Sequence, residues 1–186
     1  ANNQRIQALD KYTKTNPTEE TKYNKSVAKR QLQASKSSNY AAQKNVGNAT
    51  KEFKFSKQSA FSKNITNQVS NINKLQSQII AEQESMTRKG GWDNPKSQAR
   101  IAESLDKIEK LDKQLKTAEN NLDTTINNDV PEGQQKESLK QKSNNLKAAN
   151  KAYTAENAKL GQAQHNSKIA TNIDKHVNNK SNTTKS

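Results

Sequence analysis

Leu139, Leu146, Tyr153 and Leu160 stand at strict intervals of seven, and so do Ile65, Ile72, Ile79 and Met86. A spacing of seven returns to the same face of an α-helix after two turns, whereas a half-buried strand needs alternation by twos. Between the two series lies a third, Ile101, Leu105, Ile108, Leu111, Leu115, Ala118, Leu122 and Ile126, at steps of 4, 3, 3, 4, 3, 4 and 4. The rows predict an all-α chain of long helices forming a helical hairpin or coiled coil, because such periodic stretches outrun the ordinary globular helix. Composition narrows the choice further. Apolar residues are 28% of the chain and aromatics 4%, against roughly 45–50% apolar in a typical domain. That is too little apolar surface to offset the entropy of ordering a compact globule, so narrow seams between elongated helices are the expected core.

Breaks in the periodicity set the expected organisation. Residues 1–16 should hold a short helix on Ile6, Leu9 and Tyr12, closed by the sequence TNPTEE. Pro17 at a first helical position, with Asn16 and Glu19 as a capping pair, should start a long basic helix over 17–89. Its first part carries a weak seam of Ala28, Ala42, Val46, Ala49, Phe53 and Ala60, and after Ala60 the phase slips onto the stronger Ile65–Met86 row. The octet RKGGWDNP then joins a helix stop to a helix start. Arg88 and Lys89 complement a helix C-terminus, Gly90 suits a left-handed cap, and Pro95 suits the next first turn. Gly90, Gly91, Trp92 and Pro95 are thus the expected hinge of 90–95, with Trp92 covering the closed end of an antiparallel hairpin. An amphipathic helix over 96–128, a turn over 129–133 and a third helix over 134–177 follow. The polar, aperiodic 178–186 is expected to be disordered.

Charge is distributed unevenly. The net charge is +14, and residues 21–81 hold eleven basic residues against one acid, Glu52. Residues 92–130 reverse the balance with six basic and eight acidic residues, a net of −2. At 100° per residue Lys22, Lys25, Lys29, Lys36, Lys44, Lys51 and Lys54 fall in one arc, a stripe about 48 Å long. Such a row can track a phosphate backbone without reading sequence, or meet an acidic partner helix, such as the acidic 103–123 stretch of another copy. A plain solvated face in a lysine-biased proteome is the alternative reading. Tyr23, Tyr40 and Phe55 lie near the row and can stack on bases. On 96–128 the acids precede lysines by four residues (Glu103/Lys107, Asp106/Lys110, Glu109/Lys113, Asp112/Lys116), the pattern of a solvated, internally paired face.

Little in the chain points to catalysis. There is no cysteine. His165 and His176 are eleven residues apart, about 16 Å along a helix, too far to share a metal. No phosphate loop or nucleophile elbow occurs, since Gly90 and Gly91 follow a helix instead of preceding Lys-Ser or Lys-Thr. No catalytic residue, metal site, cofactor or small-molecule substrate is expected. No apolar run approaches the roughly 20 residues of a transmembrane helix. A first residue of Ala fits either removal of an initiator Met or cleavage of an upstream segment.

The stretch VAKRQLQASKSSNYAAQKNVGNATKEFKFSKQSAFSKNITNQ, residues 27–68, resembles the internal virion, or ejection, proteins of short-tailed bacteriophages in its Ala/Gln/Ser/Lys-rich helical style. The likeness is one of style, and no functional residues carry over. It implies a helical protein packed with the genome or near the portal that leaves with the DNA. The low hydrophobicity departs from a membrane-spanning role. The expected function is a non-enzymatic assembly protein of the virion, packing against other subunits through Ile65, Ile72, Ile79, Met86, Ile101, Leu105, Ile108, Leu115, Leu122, Leu139, Leu146, Tyr153 and Leu160, with the lysine stripe toward DNA or an acidic partner. The rival expectation is a secreted or surface-attached bacterial helical protein that binds a host or matrix protein.

Overall fold

A computed structural model describes residue 4 and residues 17–90 and 95–184. Among the described residues the fold is all-α, with helices α1 (Pro17–Lys51), α2 (Ala60–Arg88), α3 (Pro95–Asp129) and α4 (Gln134–Thr184) and no strand. The short helix expected over 1–16, Asn16, Gly91 and Trp92 lie outside the described residues, apart from helical Gln4. The chain divides into two compact units, one of Ser37–Gly161 and one of Ala1–Lys36 with Gln162–Ser186.

The expected single helix over 17–89 is broken at 52–59. Its cause is local chemistry on both sides of the break. The Phe53 N–H turns to the Thr50 carbonyl at 3.2 Å, tightening the end of α1. Ser59, in extended backbone (φ −138°, ψ 170°), then caps α2: its hydroxyl accepts from the Ser62 N–H at 3.1 Å, and the Ser62 hydroxyl accepts from the Ser59 N–H at 2.8 Å. Serine at both ends of a capping box offers the backbone a better start than an uninterrupted turn. Phe55 packs edge-on against Phe61 with ring centroids 6.3 Å apart, and both rings cover the core. The chain reverses here, so the Thr50 hydroxyl donates to the Asn73 side-chain oxygen at 3.2 Å. The phase slip after Ala60 is therefore the trace of a turn, and Ala60 is the exposed first residue of α2.

The hairpin of α2 and α3 forms as expected. The Lys89 N–H reaches the Ser85 and Met86 carbonyls, and Gly90 takes the positive φ of +93° that only glycine adopts without strain. Gln68 Nε2 donates to the Thr125 hydroxyl at 2.8 Å near one end, and the Ser104 hydroxyl donates to Glu82 at 2.7 Å near the other. At the second turn Gly133 has φ +144°, and α4 starts one residue later. Lys136 Nζ, almost fully buried, donates to the Asn127 carbonyl and to Glu132, each at 2.6 Å. This clamp ties the end of α3 to the start of α4. Asp123 then accepts from the Ser143 hydroxyl at 2.6 Å and pairs with Lys147, which sets the two helices antiparallel. The disorder expected from residue 178 onward is not found, because α4 continues to Thr184 and Asn178 Nδ2 reaches back to Asp174 at 3.5 Å. Residues 185–186 lie outside the described residues.

In the Ser37–Gly161 unit the core is Ile65, Val69, Ile72, Leu75 and Ile79 of α2, Leu115, Ala118, Leu122 and Ile126 of α3, and Leu139 and Leu146 of α4, closed by Ala49 and Val130. Full burial of each Ile or Leu contributes about 1.5–3 kcal/mol. Buried and half-buried positions follow alternate steps of three and four: 62, 65, 69, 72, 76, 79, 83, 86 in α2; 101, 104, 108, 111, 115, 118, 122, 125 in α3; 136, 139, 143, 146, 150, 153, 157, 160 in α4. This register corrects one seam residue. Leu105 is 45% exposed, and its neighbour Ser104 occupies the seam, fully buried and accepting a 2.6 Å hydrogen bond from Lys89 Nζ. A small hydroxyl with two charged partners fits where a leucine side chain would have displaced the pair. Met86, Ile108, Tyr153 and Leu160 are half-buried, and the other predicted seam residues are buried.

Candidate nucleic-acid interface

The lysine row divides by what each side chain meets. In the unit of residues 1–36 and 162–186, Lys22 pairs with Glu19 at 3.7 Å, one turn earlier. Lys25 is half-buried and pairs at 3.5 Å with Asp174, a buried carboxylate that also accepts from the Thr21 hydroxyl at 2.9 Å. Two of the seven predicted lysines are therefore internally neutralised. Lys29 and Lys36 in this unit are exposed and pair with no acid among the described residues. In the Ser37–Gly161 unit Lys44 and Lys51 are likewise exposed and unpaired. Lys54 lies beyond the end of α1, in the 52–59 turn, so it extends the basic surface without belonging to the helical row. Lys57, Lys63 and Lys74, also exposed and unpaired among the described residues, add to that surface.

Neutralisation is the rule on α3. Asp106–Lys110 (3.0 Å), Glu109–Lys113 (3.6 Å) and Asp112–Lys116 (3.1 Å) stand as predicted, while Glu103 and Lys107 are not within ion-pair distance. All six paired side chains are largely exposed, so each pair contributes a few tenths of a kcal/mol.

The three aromatic residues predicted near the row part company. Tyr23 is half-buried, and Phe55 is withdrawn against Phe61. Tyr40 is 69% exposed, the most exposed of the large apolar side chains among the described residues. It stands one turn before Lys44 on α1. Its place inside the lysine arc was readable from its position at 100° per residue, but its exposure was not.

A second polar feature escaped the sequence reading. Gln76 Nε2 donates to the Asn150 carbonyl (3.2 Å) and to the Thr154 hydroxyl (3.0 Å), and Gln83 Nε2 donates to the Thr154 carbonyl (3.1 Å). Asn157 Nδ2 donates to Gln83 Oε1 at 2.8 Å, and Asn39 Nδ2 donates to Asn157 Oδ1 at 3.1 Å. Next to this network Asn150 is 1% exposed, and neither atom of its side-chain amide has a partner. A groove of about 680 Å³ runs beside it between α3 and α4, lined by Leu115, Glu119, Lys147, Lys151 and Ala158 among others. Burial pushes the Glu119 carboxyl above its ordinary range, opposed by the nearby Lys147 ammonium. Hydrogen bonding from Lys136 holds the Glu132 carboxyl below its ordinary range, and burial raises the Tyr153 phenol.

His165 is half-buried and His176 exposed on α4. Among the described residues no three His, Asp or Glu side chains group closely enough to hold a metal ion, and no helix is long and apolar enough to cross a membrane. No protein-family model matches the chain, and no curated protein or solved structure matches it either.

Proposed function

We propose that this chain is a non-enzymatic helical assembly protein that packs against other subunits and presents its unpaired lysines to nucleic acid. The observation that carries the reading is the contrast in pairing. Lys110, Lys113 and Lys116 of α3 are neutralised by acids one turn away, while Lys29, Lys36, Lys44 and Lys51 of α1 are exposed and pair with no acid among the described residues. Cations left free on a helix surface release counterions when they meet phosphates, which gives sequence-independent binding that weakens steeply with salt.

The place of action in this reading is the phage virion, where a basic helical protein accompanies the genome; it rests on the resemblance of residues 27–68. A gene neighbourhood of portal and tail proteins supports it, and a secretory signal in the full-length precursor overturns it. For the lysines, affinity for generic duplex DNA should fall with salt and be lost when Lys29, Lys36, Lys44 and Lys51 are all changed to Gln. Unchanged binding by the quadruple variant sinks the reading. Sedimentation velocity tests the assembly: association to a defined oligomer, alone or with a co-expressed subunit, is the expected result.

A further inference from the structure

Within the Ser37–Gly161 unit, we propose that Tyr40, Lys44 and Lys51 form a subsite for single-stranded nucleic acid, in which a base stacks on the Tyr40 ring while the two ammonium groups hold the adjoining phosphates. The inference rests on the basic-surface reading above and names its partner more narrowly.

Three observations support it. Tyr40 keeps its ring 69% exposed, whereas Phe53, Phe55 and Phe61 pack on the core. An aromatic ring held out on a rigid helix offers a platform for any base face, and stacking of this kind tolerates every base. Lys44 and Lys51 follow the ring by four and eleven residues, about 6 and 16 Å along the axis, in the same arc of α1. Both are exposed, and neither has an acid within ion-pair distance among the described residues. Gly47 lies in that arc between the two lysines, and a Cβ built on it would meet nothing within 4 Å. The floor between ring and ammonium groups is therefore open, so a backbone can lie close along the helix.

Geometry separates single strands from duplexes. A duplex offers phosphates to the lysines but keeps its bases stacked within, out of reach of a ring on a convex helix surface. A single strand can turn a base outward onto Tyr40 while its phosphates follow the lysines.

The experiment compares the full chain on a labelled oligothymidylate and on a duplex of equal length, by fluorescence anisotropy across a salt series. A poly-glutamate of similar charge serves as competitor. Wild type should favour the single strand. Tyr40→Ala should weaken single-strand binding roughly ten-fold, within the range for removing one stacking ring, and leave duplex affinity and the salt slope unchanged. Tyr40→Phe should retain wild-type affinity. The pair Lys44→Gln and Lys51→Gln should lower the salt slope on both ligands. Unchanged single-strand affinity in Tyr40→Ala, or equal displacement by poly-glutamate, overturns the stacking subsite while leaving the basic surface in place. Absence of salt-sensitive binding to either nucleic acid overturns the broader reading as well.

Discussion

Helices α1 and α3 are both 35 residues long and both begin at a proline, yet they spend their side chains in opposite ways. The seam of α3 buries Ile101, Leu115, Leu122 and Ile126, and its outer Lys110, Lys113 and Lys116 are paired with its own acids. The buried seam positions of α1 are Thr21, Ala28, Ala42 and Ala49, and four of its lysines face solvent and pair with no acid among the described residues. A helix whose seam is alanine gains little from burial, while a helix with free cations has interaction energy still to release. On the proposed reading, α3 serves stability and α1 association.

The largest effect that tests this division is on the core. Leu122→Ala, at a fully buried site of α3, should destabilise by about 2–5 kcal/mol in urea unfolding, whereas Ala42→Gly in α1 should cost about 1 kcal/mol or less. Comparable losses at the two sites would break the comparison. Next in size is Asn150→Leu. Removing a buried amide with no hydrogen-bond partner should stabilise by about 1–2 kcal/mol, with the neighbouring groove accepting the added volume. A loss of stability would show that the amide finds partners in solution. Smaller still is the triple change of Lys110, Lys113 and Lys116 to Gln. It should cost a few tenths of a kcal/mol per pair and leave DNA affinity close to wild type, in contrast to the quadruple change in α1.

The smallest effect is pH-dependent. Because the folded state raises the Glu119 pKa by burial, the folded protein binds that proton more tightly than the unfolded chain does. Stability from this group is therefore present at low pH and is lost as pH rises through the folded pKa. Glu119→Gln should raise the Tm slightly at pH 7, and the gain should vanish below the ordinary carboxylate range. A gain independent of pH would point to packing instead of charge.

Rows of isoleucine and leucine were legible because hydrophobic burial and helix geometry impose the same period; Ile65, Ile72 and Ile79 declare their face without tertiary information. The second line of each seam was not legible. Ser62, Gln76, Gln83, Ser104, Ser143, Asn150 and Asn157 are buried or nearly so, but a polar residue in a sequence reads as surface. Only the partner across the interface, such as Thr154 for Gln76, reveals otherwise. The turn at 52–59 was half legible. Its phase slip stood in the sequence, while the capping box used Ser62 at a position where Glu or Gln is the usual signal. Lys29, Lys36, Lys44 and Lys51 were legible as exposed positions of one helix, but Lys54 falls beyond its end, and Lys25 was not separable from Lys29 without Asp174, which is distant in sequence.

Seams that repeat every seven residues carry a translational near-degeneracy. Sliding α4 along α2 by one heptad would again set an apolar row against an apolar row and a polar row against a polar row. Two features used once each remove that ambiguity. The Lys136 clamp anchors the start of α4. Further along, Gly161 sits so close to α2 that a Cβ there would stand 2.5 Å from the Thr87 hydroxyl oxygen, which donates to the Gln83 carbonyl. Such unrepeated contacts act like the index mark on a vernier. The periodic seams make many alignments acceptable, and a single glycine opposite a single threonine selects one of them.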